Sequence, residues 1–266
     1  TVKSTLFFEG KKFIEGSTEA VQDALTVEEI LNISINGVPY TMTMRTPGDE
    51  EALVRGILLS ENVYTDSQLN PVFIIDEIND KGFITKVDIQ IPLDAIQSGI
   101  DTKRNLISVS SCGMCGKSEM ELVLQGDSIQ LKRKLKIAQI AAMFDQMATH
   151  QDTFKSSGGS HASAAFTTEG LLLSIKEDIG RHNAVDKVIG SLLLENKLHL
   201  AECLLVSGRL SYEIVSKCFR AKIPFLAAVS APSSMAIEYC EKVGISLLAF
   251  CRRDRCTVYS HFENVE

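Results

Sequence analysis

Cys112 and Cys115 stand two residues apart in Ser110-Ser111-Cys112-Gly113-Met114-Cys115-Gly116. Two thiols at that spacing can pass a sulfur between them, close a disulfide, or supply half of a metal site. Gly113 and Gly116 permit backbone angles that a Cβ forbids. The sulfurs are therefore expected on an exposed, adaptable loop, where burial does not make a thiol inert, and Lys117 is near enough in sequence to lower a thiol pKa. A redox role needs a thioredoxin-like βαβ context, and a closed zinc site needs a second ligand pair. No such pair stands near in the sequence, so no protein-held metal is expected.

A second chemistry is written in the positions of the arginines. Arg181, Arg209, Arg252, Arg253 and Arg255 stand beyond apolar runs, in segments that each hold glycine, serine or arginine. These are Glu177-Asp178-Ile179-Gly180-Arg181-His182-Asn183, Ser207-Gly208-Arg209-Leu210-Ser211, Ser230-Ala231-Pro232-Ser233-Ser234 and Phe250-Cys251-Arg252-Arg253-Asp254-Arg255. Three of the four open a helical stretch. Ligands of an open α/β sheet bind outside the carboxyl ends of its strands, and a helix N-terminus offers free N–H groups to an anion. Asn183, Ser211 and Ser233 could instead cap helices, with the arginines merely on the surface. The same pattern in four consecutive loops favours an anionic ligand with several phosphates. Ser207, Gly208 and Arg209 would meet one phosphate, Ser230, Ala231 and Ser233 a second, and Arg252 and Arg255 would close over them. Ser156-Ser157-Gly158-Gly159-Ser160-His161-Ala162 reads as a flexible turn that belongs to the same ligand site, with Gly158 and Gly159 expected beside the ligand and His161 and His182 as candidate donors or proton shuttles.

The elements that must position these residues follow from hydrophobic pattern. Leu171–Ile175, Cys203–Val206, Phe225–Val229 and Leu247–Cys251 read as strands. Helices are expected over Ala184–Glu195, through Cys218, and to Glu241. That alternation predicts an α/β layer with a mostly parallel sheet. A further helix is expected within Leu131–His150, with its methionines as core fillers. Upstream, Leu31–Ile35 and Val38–Met44 alternate around Asn36-Gly37, a hairpin signal. A helix through Leu53, Ile57 and Leu58 and a strand over Lys86–Ile91 follow. The expected division is a small mixed α+β domain over 1–103 and an α/β domain over 104–266.

The chain has 266 residues, 45 % of them hydrophobic, and a formal net charge of −7. That charge argues against a general nucleic-acid binder, whose affinity rests on neutralising phosphates. Seven cysteines are scattered rather than framed; Cys203, Cys218 and Cys240 fall in apolar segments and are expected to pack as small hydrophobes. Unpaired thiols imply a reducing compartment. Thr1-Val2-Lys3-Ser4 shows no secretory signal, and no apolar run approaches the ~18 residues of a membrane span. A cytoplasmic protein without membrane contact is expected. The apolar N-terminal strands could pair edges in a homodimer.

Taken in order, Cys-Gly-x-Cys at 112–115, Gly-Gly-x-His-Ala at 158–162, 177–187, Ser-Gly-Arg-x-Ser-x-Glu at 207–213, Ser-Ala-Pro at 230–232 and Phe-Cys-Arg-x-x-Arg at 250–255 resemble the formate dehydrogenase accessory sulfurtransferase family (FdhD). The match spans about residues 108–262. The resemblance implies a sulfur carrier that receives sulfur from a cysteine desulfurase. It passes that sulfur to the bis-molybdopterin guanine dinucleotide cofactor before insertion into formate dehydrogenase. It implies a cytidine-deaminase-like three-layer α/β/α domain, Cys112 as the persulfide-bearing residue, Cys115 as its assistant, and cofactor contact by Phe250, Cys251, Arg252, Arg253, Asp254 and Arg255. The family's turn begins Thr-Gly-Gly; here Ser157 keeps the hydroxyl. Two other classes remain. A zinc deaminase of that fold needs His-x-Glu and Pro-Cys-x-x-Cys, but His161 is followed by Ala162-Ser163 and Cys112 is preceded by Ser111. A non-catalytic chaperone would bind the cofactor without carrying sulfur.

Overall fold

The computed structural model describes residues 3–97, 128–129, 131, 133–253 and 255–266. Cys112, Cys115, Lys117 and Asp254 lie outside the described residues, as does the boundary expected between 103 and 104. No helix among the described residues is long and apolar enough to cross a membrane.

Strands β1 (Thr5–Ile14) and β2 (Ser17–Thr26) form a separate antiparallel ribbon. Phe7, Phe8 and Phe13 are exposed on it. Its base rests on the main body, where the Thr26 and Ser157 hydroxyls share a 2.6 Å hydrogen bond.

A four-stranded sheet of order β4-β3-β6-β5 follows, built from β3 (Glu29–Ile35), β4 (Val38–Arg45), β5 (Val72–Ile78) and β6 (Ile84–Gln90). The hairpin at Asn36-Gly37 forms as its sequence dictates: φ is 50° and 78° at the two residues, the positive pair that a two-residue turn of primed type requires. Helix α1 (Glu50–Ser60) lays Leu53, Ile57 and Leu58 against Leu31, Ile33, Val87 and Ile89.

The largest sheet has order β12-β11-β10-β9-β7-β8. Its strands are β7 (His161–Phe166), β8 (Leu172–Asp178), β9 (Cys203–Val206), β10 (Phe225–Ala228), β11 (Ser246–Ala249) and β12 (Thr257–Val258). The helices are α2 (Ile137–Thr149), α3 (Asp152–Ser157), α4 (Arg181–Leu194), α5 (Tyr212–Arg220) and α6 (Ser234–Val243). Strand residues alternate between two cores. Leu204, Val206, Leu226, Ala228, Leu247 and Ala249 face α4, α5 and α6. Ala164, Leu205, Phe225, Ala227 and Leu248 face Ile140, Met143 and Met147 of α2. The result is helix, sheet, helix, in three layers.

The expectation of a mostly parallel sheet is corrected. Only β9, β10 and β11 run parallel to one another; β7, β8 and β12 pair antiparallel. The turn from Thr167 to Leu171 is too short for the crossover that parallel neighbours need, so β7 and β8 close as a hairpin. The turn expected over 156–162 is likewise half wrong. Ser156 and Ser157 end α3, Gly158 is its left-handed cap with φ 67°, and His161 already opens β7.

Helices α1 and α4 cross with almost no space between their backbones. A Cβ added to Gly190 would lie 1.7 Å from the carbonyl oxygen of Ala52, and one at Gly56 would lie 2.0 Å from that of Asp186. Both glycines are therefore required by close approach. This crossing fixes the four-stranded sheet to the three-layer body.

Candidate functional site

Strand directions bring the predicted loops to one rim of the large sheet. β9, β10 and β11 end there, at Val206, Ala228 and Ala249. β7 runs against β9 and begins there, with Ser163 opposite Val206. β8 ends there, with Asp178 opposite His161. His161, Arg181, His182, Ser207, Gly208, Arg209, Ser230, Ala231, Ser233 and the segment from Phe250 thus share one edge. Backbone bonds knit neighbouring loops. Ser207 N donates to Ala162 O at 3.0 Å, Leu210 N to Ala231 O at 3.0 Å, Ser233 N to Leu210 O at 2.9 Å, and Phe250 N to Ser230 O at 3.3 Å. At Gly208, a Cβ would lie 3.3 Å from the Arg181 stem and 3.4 Å from His161 Nδ1. Glycine lets those two side chains lie over the loop.

The rim is electropositive where an anion would sit. Arg181 opens α4, and its buried Nε has no hydrogen-bond partner among the described residues. Arg209 and Arg255 are exposed. The N-cap residues of α4 and α5, Gly180 and Ser211, make no side-chain cap hydrogen bond, and a helix start of that kind can offer N–H groups to an anion. Burial, reinforced by Arg181, pushes the His161 pKa down from 6.5. Burial, with Lys217 and Arg181, does the same for His182. Both imidazoles are therefore neutral at pH 7, each with one donor and one acceptor. His182 Nε2 lies 3.4 Å from both Ser211 Oγ and Glu213 Oε2. The Ser211 hydroxyl donates to Glu213 at 2.7 Å. Burial pushes the Glu213 carboxyl up, but the Ser211 bond and His182 outweigh it and hold the carboxyl below its usual value.

A profile described as the FdhD/NarQ family matches residues 26–266 of this chain. The chain belongs to the FdhD/NarQ family. Among its relatives, the protein named sulfur carrier protein FdhD in Mycobacterium bovis is 40 % identical over 259 residues, 91 % of this chain and 92 % of its own length. The protein of that name in Sulfolobus acidocaldarius is 36 % identical over 256 residues, 96 % of each chain. A crystal structure from Desulfotalea psychrophila, named for a formate dehydrogenase accessory role, superposes with a TM-score of 0.79. It covers 99 % of this chain and 100 % of its own at 21 % identity, and shows that the fold is shared.

In this FdhD/NarQ chain, most charged residues of 177–187 serve as scaffold. The Glu177 carboxylate accepts from Thr153 N and Phe154 N, each at 2.8 Å, and from Ser160 Oγ at 2.7 Å. It thereby caps α3. Asp178 is fully buried and pairs with Lys187 Nζ at 2.8 Å. It also accepts from Thr46 N at 3.1 Å, Gly180 N at 2.8 Å and Asn183 Nδ2 at 3.1 Å. Asp186 pairs with Lys217 at 2.7 Å. What remains aimed at the rim is Arg181 and His182.

The other expected residues divide. Asn183 is no cap; it is buried inside α4 and donates to Met44 O at 2.8 Å. Ser233 does cap α6, accepting from Ala236 N at 3.2 Å, so one lone-pair direction of its hydroxyl is engaged. Gly159 lies against Thr26 at the ribbon's base. Arg252 Nη1 donates to Val229 O at 2.7 Å and Cys251 O at 2.8 Å, while Arg253 is drawn toward Asp145 of α2 at 3.4 Å. Phe250 takes a left-handed backbone, φ 53°, and is 42 % exposed. Sequence reasoning passed over Glu213 as a site residue, although Ser211-x-Glu213 at a helix start is the spacing that lets a hydroxyl reach a carboxylate within the first turn.

Proposed function

We propose that this chain is a sulfur carrier serving a formate dehydrogenase. The Cys112 thiolate attacks the outer sulfur of a persulfide on a cysteine desulfurase; that enzyme's thiolate leaves, and Cys112 becomes the persulfide. Cys115 assists. The outer sulfur then passes, as a neutral sulfur atom taken up by an electron pair of the acceptor, to bis-molybdopterin guanine dinucleotide, the substrate, bound by its phosphates at the rim; the S–S bond breaks and the Cys112 thiolate is the leaving group. This reading makes the chain a sulfurtransferase of the cytoplasm, with its three-layer half arranged like a cytidine deaminase. The names of its relatives support the sulfur-carrier role.

The observation that carries the binding half is Arg181. Its buried Nε, without a partner among the described residues, sits at a helix start whose N-cap makes no side-chain bond, and its charge bears on two neutral histidines. Strand-end loops converge around it. A phosphate oxygen satisfies that donor and the free N–H groups of α4 and α5 together. Ser207, Gly208 and Arg209 receive one phosphate, and Ser230, Ala231 and Ser233 flank the next. Phe250, Arg252 and Arg255 border them.

Calorimetry with guanosine diphosphate tests the rim. A charge-assisted contact is worth ~1.5–3 kcal/mol, so Arg209→Ala or Arg255→Ala should weaken binding about tenfold or more. Intact-mass analysis after incubation with a cysteine desulfurase and cysteine should show one added sulfur in both variants and none in Cys112→Ala. Unchanged affinity in both arginine variants would sink the rim as cofactor site. Sulfur found on Cys203, Cys218 or Cys240 would sink the carrier assignment.

A further inference from the structure

Beyond Ala249 the β11–β12 pairing makes a small correction with a chemical result. Leu248 faces Val258 and Ala249 faces Thr257. Continued regularly, that register would set Phe250 opposite Cys256 and Cys251 opposite Arg255. Instead Arg252 N donates to Arg255 O at 2.7 Å, so residues 252 and 255 form the next hydrogen-bonded pair. One residue has been absorbed as a β-bulge, and Phe250, with φ 53°, is that residue. A bulge puts two residues opposite one and shifts the register by one place.

The shift sets Cys251 directly opposite Cys256. Both then fall on the face of the sheet toward α2, and both side chains join that core, Cys251 buried and Cys256 half-buried. Hydrogen-bonded and open pairs alternate along an antiparallel ladder. Tyr259 N donates to Leu247 O at 2.8 Å, so 247 with 259 is a bonded pair and 248 with 258 an open one. The Ala249–Thr257 position is bonded, 251 with 256 is open, and 252 with 255 is bonded again. Open pairs hold their Cα atoms ~4.5 Å apart, inside the ~4.4–6.8 Å range that a disulfide spans.

We propose that Cys251 and Cys256 are a redox-active dithiol that closes to a disulfide and fixes the arginine-bearing segment between them. Burial pushes the Cys251 thiol up to about 12. Burial also raises Cys256, and Cys251 offsets that rise only in part. Cys256 is half-buried where Cys251 is buried, so exchange starts at Cys256. Its thiolate attacks one sulfur of a small disulfide such as oxidised glutathione, and one glutathione thiolate leaves. Cys251 then attacks the Cys256 sulfur, and the second glutathione leaves. Two protein thiols are oxidised, one glutathione disulfide is reduced to two thiols, and the protein's two protons pass to the leaving thiolates. Arg252 and Arg255 belong to the proposed cofactor rim, so any effect on binding rests on that reading; closure of the disulfide does not.

The test treats the full-length protein with oxidised glutathione and maps it with trypsin without reduction. Cuts after Arg252, Arg253 and Arg255 place Cys251 and Cys256 on separate peptides, so a linked pair reports their disulfide and is not confused with a Cys112–Cys115 bond. A linked pair is expected, with amide exchange over residues 250–257 slowed several-fold on oxidation. In Cys256→Ser, which alters only the half-buried thiol, both effects should vanish while the melting temperature stays near the parent's; Cys251→Val serves as the second variant. A glutathione adduct on Cys256 without ring closure, or closure that leaves amide exchange unchanged, overturns the proposal. Guanosine diphosphate affinity is measured on both redox forms. If the disulfide forms and slows exchange while affinity is unaltered, this inference stands and the assignment of the 250–255 segment to the cofactor site fails.

Discussion

Lys187→Met isolates the pair that holds the Arg181 loop. Lys187 and Asp178 are 1 % and 0 % exposed at their side chains, and Nζ lies 2.8 Å from Oδ2. Nζ also donates to Thr46 O at 2.8 Å. Methionine fills similar volume, so the change is mainly electrostatic. Removing one partner of a buried pair typically costs ~3–5 kcal/mol, because the other charge stays buried and uncompensated. Asp178 keeps its bonds from Thr46 N, Gly180 N and Asn183 Nδ2, which places the loss near the lower bound, about 3 kcal/mol. For a chain of this size that corresponds to a fall in melting temperature of roughly 6–12 °C. Urea unfolding should show a lower midpoint with an unchanged slope. Adding Asp178→Asn removes the stranded carboxylate, so the double variant should recover stability relative to Lys187→Met alone. A loss under about 1 kcal/mol, or strictly additive single changes, would refute the claim that this pair is an uncompensated-charge trap.

Gly190→Ala pits two effects against each other. Helix propensity favours alanine by ~1 kcal/mol, but the new Cβ would meet backbone 1.7 Å away, and overpacking costs ~1–3 kcal/mol or more; net destabilisation is expected in thermal melts. His161 and His182 have folded pKa values below 6.5. Their folded forms resist protonation, so their contribution is complete above 6.5 and is lost as pH falls through the lower folded values. Melting temperature should therefore drop as pH falls below about 6.5, with a shallower drop in His161→Gln and His182→Gln variants. Gly208→Val should disturb the Arg181 stem, 3.3 Å from the added Cβ, and weaken guanosine diphosphate binding without lowering the sulfur loaded on Cys112.

Cys203–Val206 was legible because a short apolar run between polar turns has few other uses. The neighbouring β7 was not. His161-Ala162-Ser163-Ala164-Ala165-Phe166 carries no branched residue, yet it lies between β8 and β9, where Ala164 and Ala165 are fully buried under helices on both faces. Small residues suit that squeeze and look like a turn in isolation. The β1–β2 ribbon was missed because its mixed composition gives neither face a continuous apolar stripe. At the rim, glycine, serine and arginine announced themselves. The destinations of Glu177, Asp178 and Lys187 did not, since each depends on a partner elsewhere, such as Thr46, more than a hundred residues earlier. Similarly, the pairing inferred for Cys251 and Cys256 turns on the left-handed backbone at Phe250.

The reversed course of β7 sorts the molecule into a working margin and a quiet one. With β7 starting where its parallel neighbours finish, the residues read as functional gather on one side. Among the described residues, the opposite margin holds connections such as the turn at 167–171, the bend at 221–224 and the reversal around Gly244. Extra sequence grafted at the 167–171 joint, where Leu171 is 64 % exposed, would hang far from the rim. A short peptide tag spliced there should leave guanosine diphosphate binding untouched, whereas the same tag beside Gly208 should abolish it. The protein thus carries its own attachment point for immobilisation or labelling, facing away from whatever docks at the other margin.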